Sequence, residues 1–157
     1  MDIRVVRFDD PDAVKLIDEV QQEYVVRYGG IDETPVGPRE FTPPHGLFLV
    51  GYDDGAPVAC GGWRARSNPD GAEIKRMFVV KSARGKGFAR DVLAELERTA
   101  ARAGHPRAML ETGRMQPEAI ALYTSSSYTE IEKFGMYRDE PLSLCFGKDL
   151  TPDSAGA

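Results

Sequence analysis

The chain has 157 residues, of which 41% are hydrophobic and 29% charged, and its formal net charge is -5. This is the size of one domain with enough apolar residues for a core, expected over residues 1–150, with a small polar tail at 151–157. The acidic balance, the absence of a sustained basic patch and the lack of any long apolar run argue against a nucleic-acid partner and against a membrane span.

In chain order, Ile3 and Val5 alternate with Arg4 and Arg7 in the manner of a first strand. Asp9-Asp10-Pro11 then supplies an N-cap and a proline for a helix that should run to about Tyr28, where Gly29-Gly30 stops it. Val14, Ile17, Val20, Tyr24 and Val25 mark its apolar stripe. Residues 31–45 hold four prolines without periodicity and are read as a loop with one short helical turn. Gly46 to Tyr52 and Pro57 to Arg66 read as strands joined at Asp53-Asp54-Gly55, and Asn68-Pro69-Asp70-Gly71 is a second turn leading into a strand from Ala72 to Val80.

Arg84-Gly85-Lys86-Gly87-Phe88-Ala89 follows that strand and precedes a helical run from Asp91 to Ala103. Two glycines there let the chain turn tightly and bring its amides near an anion, while the helix adds unpaired N–H groups and the positive end of its dipole. A Walker loop is excluded by the missing Lys-Ser or Lys-Thr, and a dinucleotide fingerprint by the missing third glycine. A short apolar strand, Ala108 to Glu111, a helix opened by Gln116-Pro117-Glu118, and a closing antiparallel pair, Tyr128 to Lys133 and Leu142 to Lys148, complete the chain. Cys60 and Cys145 lie in apolar strands without metal-ligand spacing, so buried free thiols and a cytoplasmic location are expected.

The pattern Arg-x-x-Gly-x-Ala between strand and helix resembles the pyrophosphate loop of the GNAT N-acetyltransferase superfamily. Glu73-Ile74-Lys75-Arg76-Met77-Phe78-Val79 is similar to that family's fourth strand, Leu110-Glu111-Thr112 to its fifth, and Gln116 to Tyr123 to the helix carrying its tyrosine. The resemblance implies an α/β (α+β) GNAT fold: a mostly antiparallel sheet of about seven strands flanked by about four helices, with strands four and five splayed. It implies an acetyl-CoA-dependent N-acetyltransferase that moves the acetyl group directly to a primary amine of a small molecule, without a metal. A homodimer is compatible with it. The alternatives are a non-catalytic acyl-CoA sensor and an acetyltransferase acting on protein N-termini or lysines.

The resemblance also implies roles for residues. Arg84, Gly85, Lys86, Gly87, Phe88 and Ala89 would hold the pyrophosphate; Phe78, Val79 and Gln116 would hold the pantetheine arm, with the Val79 N–H as donor to the thioester oxygen. Tyr123 would be the acid that protonates the departing thiolate. Glu73 is the expected base, because simple strand alternation puts Glu73, Lys75, Met77 and Val79 on one face and Ile74, Phe78 and Val80 on the other. Glu111 is the rival carboxylate. Tyr28, Trp63 and Glu111 are expected at the acceptor, and Arg64, Arg66, Lys75 and Arg76 could bind a carboxylate on it. One departure stands out: relatives usually carry Gly where this chain has Ser127, and a left-handed serine there costs about 1 kcal/mol.

Overall fold

The computed structural model describes residues 1–32 and 36–151. Strand β1 (Asp2–Val6) is followed by α1 (Pro11–Tyr28), whose N-terminus is capped by the Asp10 carboxylate accepting from the Asp12 N–H at 2.9 Å. Gly29 ends the helix at φ 79°, a conformation glycine adopts without strain. The buried stripe of α1 is Ala13, Leu16 and Val20. It lies one residue round from the expected stripe, so Ile17 and Tyr24 are half-buried while Val14 and Val25 are exposed. Both stripes have helical spacing and share Val20; packing of the helix in the core with Phe48, Val50 and Phe78 selects the first.

A meander of β2 (Gly46–Asp53), β3 (Ala56–Ser67) and β4 (Asp70–Val79) leads into α2 (Phe88–Arg102). Then come β5 (Arg107–Gly113), α3 (Pro117–Ser125), β6 (Thr129–Ile131) and β7 (Ser143–Asp149). These seven strands form one sheet in the order β1-β2-β3-β4-β5-β7-β6. All neighbours are antiparallel except β4 and β5. The described residues contain three α-helices rather than about four; the remaining helical turns are short 3-10 segments at Pro38–Phe41, Lys81–Ala83 and Gly135–Tyr137. None of these helices is long and apolar enough to cross a membrane.

The two faces of the sheet carry separate cores. Val92, Leu93 and Leu96 of α2 and Tyr123 of α3 pack on Leu49, Trp63, Ile74 and Leu110, while Leu16 and Val20 of α1 pack on Phe48, Val50, Cys60 and Phe78. Both cysteines are buried free thiols. Ser127 takes the left-handed conformation expected of it, φ 74°, and the Tyr128 N–H returns to the Tyr123 carbonyl at 3.0 Å to close α3.

Two irregularities in the sheet position everything that follows. Parallel pairing between β4 and β5 is confined to Ala72↔Ala108 through Ile74↔Leu110, although β4 continues to Val79 and β5 to Gly113. The strands therefore part, as the family resemblance implies. The second irregularity was not expected: the β3–β4 register steps from Gly62↔Lys75 to Cys60↔Phe78, so Gly61 faces both Arg76 and Met77. Arg76 sits in this bulge at φ 61°.

Candidate active site

The bulge reverses strand parity. Ile74, Met77 and Val79 join the core on the α2 side, whereas Phe78 joins the core on the α1 side. Simple alternation across 73–80 is thus broken at Arg76, and Glu73 lies on the face opposite Val79. Glu73 is fully buried; its Oε1 accepts from Arg64 Nε at 3.0 Å and Arg66 Nη1 at 3.2 Å, and Tyr137 Oη lies 3.4 Å from its Oε2. It does not line the cavity described below, which corrects the expectation that it faces the cofactor.

Where β4 and β5 part, a cavity of about 490 Å³ opens. This volume lies in the range of small-molecule sites. Tyr24 and Tyr28 of α1 line it together with Tyr123, Gln116 and Ala119 of the α3 segment. Helices from opposite faces of the sheet share one cavity only because the strands between them have separated. Glu111 of β5 also lines it, and so do Lys75, Arg76 and Asp32.

The Glu111 carboxylate accepts from Ser143 Oγ at 2.7 Å. Burial raises its pKa above the usual carboxylate range, while the Ser143 hydrogen bond pulls it back down. Tyr123 is 6% exposed, edge-on to Tyr128, and burial followed by the nearby Glu111 raises its phenol pKa further, so it is a neutral acid at physiological pH. Tyr28 Oη is buried without a hydrogen-bond partner among the described residues and lies against Gly113. A Cβ on Gly113 would fall 1.7 Å from that oxygen, so glycine is required for the approach.

The cations that sequence inspection grouped together separate in space. Arg64 is held by Glu40 at 2.7 Å and by Glu73, and Arg66 by Glu73 with its guanidinium over the Phe134 ring. Lys75 Nζ and Arg76 Nη1 both donate to Asp32 Oδ2, at 2.9 and 2.7 Å. The Asp32 backbone is in turn clamped by the Gln21 side chain through two hydrogen bonds. Burial lowers the pKa of Lys75, and Asp32 opposes that shift. Trp63 is a correction: it is 3% exposed, its Nε1 donates to Thr99 Oγ1 at 2.9 Å, and its ring meets His105, away from the cavity. Its strand parity turns it toward α2.

The predicted phosphate loop follows β4. Gly85 and Gly87 have φ of 81° and 82°, and Gly87 is the residue before α2, so the N–H groups of Phe88, Ala89 and Arg90 have no intrahelical acceptor. Arg84 Nε donates to the Val79 carbonyl at 2.9 Å and its Nη2 to Glu23 at 2.8 Å, and the guanidinium stands over Phe78. Lys86 is exposed, with its ammonium 6.0 Å from the Phe88 ring. The Val80 N–H donates to Val58 at 2.9 Å, which turns the backbone groups of Val79 away from β3 and toward the gap left by β5.

Sequence reasoning missed Asp32 and Ser143 as parts of the site. Asp32 lies in an irregular segment without periodicity, and Ser143 becomes significant only through the β5–β7 pairing that sets it diagonally across from Glu111.

Comparison with known proteins agrees with this architecture. The acetyltransferase (GNAT) family matches residues 14–128. An IAA acetyltransferase of Azospirillum brasilense is 34% identical over 138 residues, covering 88% of this chain and 90% of the relative. A crystal structure from Klebsiella pneumoniae subsp. pneumoniae MGH 78578, provisionally described as an acyl-CoA N-acyltransferase, is 28% identical with a TM-score of 0.77, covering 96% of this chain and 97% of that one. An aminoglycoside 6'-N-acetyltransferase solved with coenzyme A shares the fold at 14% identity and a TM-score of 0.71, over 97% of this chain and 98% of its own. With a family match spanning most of its length and a parted β4–β5 edge beside a glycine-shaped loop, the chain belongs to the GNAT family of acetyltransferases.

Proposed function

We propose that the chain transfers the acetyl group of acetyl-CoA directly to a primary amine of a small molecule held in the β4–β5 cavity. Glu111 is the base, Tyr123 the acid and the Val79 N–H the donor to the carbonyl oxygen. The observation that carries this reading is that a carboxylate with raised pKa and a neutral phenol, brought from β5 and α3, line one cavity beside an unpaired strand edge.

Acetyl-CoA supplies an activated acetyl group on a good leaving thiolate. Its fit to the chain is supported by the open, left-handed Gly85 and Gly87, at which a Cβ would meet nothing within 4 Å, and by the free N–H groups of the first turn of α2. The amides of Arg84 through Ala89 would hold the pyrophosphate, with Lys86 adding positive charge beside it. Val79 would offer its strand-edge groups to the pantetheine amides from one side, and Gln116 would contact the arm from the other, whereas the Phe78 backbone, expected to share this role, faces Cys60 of β3. Arg84 would release the Val79 carbonyl to make this edge available.

Glu111 replaces Glu73 as the base because its residue lines the cavity, whereas Glu73 does not and both of its oxygens are engaged, by Arg64 and Arg66 and by the Tyr137 phenol. Accepting the ammonium proton leaves Glu111 in the neutral form that its burial favours. Tyr123 donates to the departing sulfur; a phenol is a stronger acid than water yet fully protonated at neutral pH, which suits a thiolate acceptor. A thiol-release screen across amino acids, polyamines, arylamines and protein N-terminal peptides tests the reading. Amine-dependent release is the expected result. Tight acetyl-CoA binding with no amine able to accelerate release would instead indicate an acyl-CoA sensor.

A further inference from the structure

Resting on that reading, we infer that the acceptor is a monoamine with an apolar body, alkyl or aryl, and carries no second charge near its amine. Two independent observations lead there.

The first is how the charges in the depth of the cavity are already matched. Asp32 accepts from both Lys75 and Arg76, whose side chains are only 6% and 3% exposed, and Lys75 Nζ also donates to Tyr137 Oη at 2.9 Å, so these two lining cations already hold protein partners. The surplus positive charge of that triad is opposed by Glu111, the group assigned to the reacting amine. Asp32 is already shared by two cations and Glu111 is taken by the reacting amine, so a second ammonium would find no carboxylate of its own; a carboxylate would have to displace Asp32 from Lys75 and Arg76 and would add negative charge beside Glu111. Either added charge is desolvated without a partner of its own. Glu140 also lines the cavity, but it is solvent-exposed, where water and salt screen its charge.

The second observation is the rim. Ile31, Met136 and Leu142 line the cavity and are 53%, 61% and 46% exposed, and Met115, beside the lining residue Gln116, is 50% exposed. Large apolar side chains held in solvent around one opening are the mark of a surface that a ligand covers. The rings of Tyr24 and Tyr28, both half-buried, line the same cavity. An amine entering head-first toward Glu111 would leave its apolar body between these rings and the rim.

Three amines of one chain length separate the possibilities: hexylamine, 1,6-diaminohexane and 6-aminohexanoate. Turnover is read by thiol release and binding by calorimetry on the full chain with CoA present. Hexylamine is expected to exceed both others in kcat/KM by about tenfold or more, as loss or gain of one well-matched contact allows. Met136→Glu should raise KM for hexylamine, leave kcat nearly unchanged and shift preference toward the diamine, an outcome that a purely structural role for this exposed residue would not produce. Equal or better use of the diamine or the amino acid overturns the inference, as does failure of all three to bind. If hexylamine binds selectively but is not acetylated, the acceptor class stands and the transferase reading of the site falls. If Met136→Glu dissociates a dimer in sedimentation and leaves the amine preference unchanged, the rim is an interface between copies and the inference is overturned.

Discussion

Ser143 Oγ donates to the Glu111 carboxylate at 2.7 Å from the neighbouring strand, inside the cavity that Tyr123 also lines. This bond tunes a group whose basicity is otherwise set by burial. Because the hydrogen bond favours the charged carboxylate, Ser143→Ala should raise the Glu111 pKa further. The acidic limb of the kcat/KM profile should then move to higher pH while the plateau is retained. Glu111→Gln should lower kcat/KM by about 10²-fold or more and remove that limb. A profile that keeps its acidic limb in Glu111→Gln would exclude Glu111 as the base.

Burial that raises the pKa of a carboxyl group also makes its ionisation destabilising. The folded state holds the Glu111 proton more tightly than the unfolded state, so stability falls as pH rises from the unfolded carboxyl value through the raised folded one. Above that window Glu111→Gln should melt at the same temperature as the parent or higher, even though it is less active. A clear drop in Tm at neutral pH would contradict this.

Glu73 should behave in the opposite way. Removing its charge leaves Arg64 and Arg66 facing each other around a fully buried site. Glu73→Gln should cost about 3 kcal/mol, or about 10 °C in Tm for a domain of this size, while the folded fraction keeps its pH–rate profile. An unchanged Tm with a lost acidic limb would restore Glu73 to the chemistry.

Tyr123→Phe removes only the phenolic proton from a side chain packed between α3 and the sheet. Turnover should fall by about 10²-fold with acetyl-CoA affinity retained. Single-turnover kinetics with calorimetry would separate the two effects, and unchanged turnover would return Tyr123 to a packing role.

Gly87 stands at φ 82° with open space around it, so valine there is opposed by backbone strain rather than by a neighbour. Gly87→Val should distort the loop and weaken acetyl-CoA binding by about tenfold or more, since a β-branched residue in this conformation costs about 1–2 kcal/mol. Calorimetry that finds parental affinity would remove the loop from the binding site.

The order of elements and the strand-loop-helix junction at Arg84 to Ala89 were legible in the sequence, from apolar periodicity and glycine placement. The parting of β4 and β5 and the left-handed turn at Ser127 followed only from the family resemblance. The assignment of faces on β4 was not legible. A bulge exists only when two strands pair with unequal residue counts, and nothing in Glu73 to Val80 announces that Arg76 is the extra residue. That single residue sets Glu73 and Val79 on opposite faces of β4. Likewise, Glu111 acquires its raised pKa from the walls around it and its Ser143 partner from strand pairing, and Asp32 reaches Lys75 and Arg76 from 43 and 44 positions away. Local sequence determined which elements form and where the glycine-rich turn before α2 falls; burial, register and charge pairing, which are properties of the assembled sheet, decided which carboxylate lines the cavity.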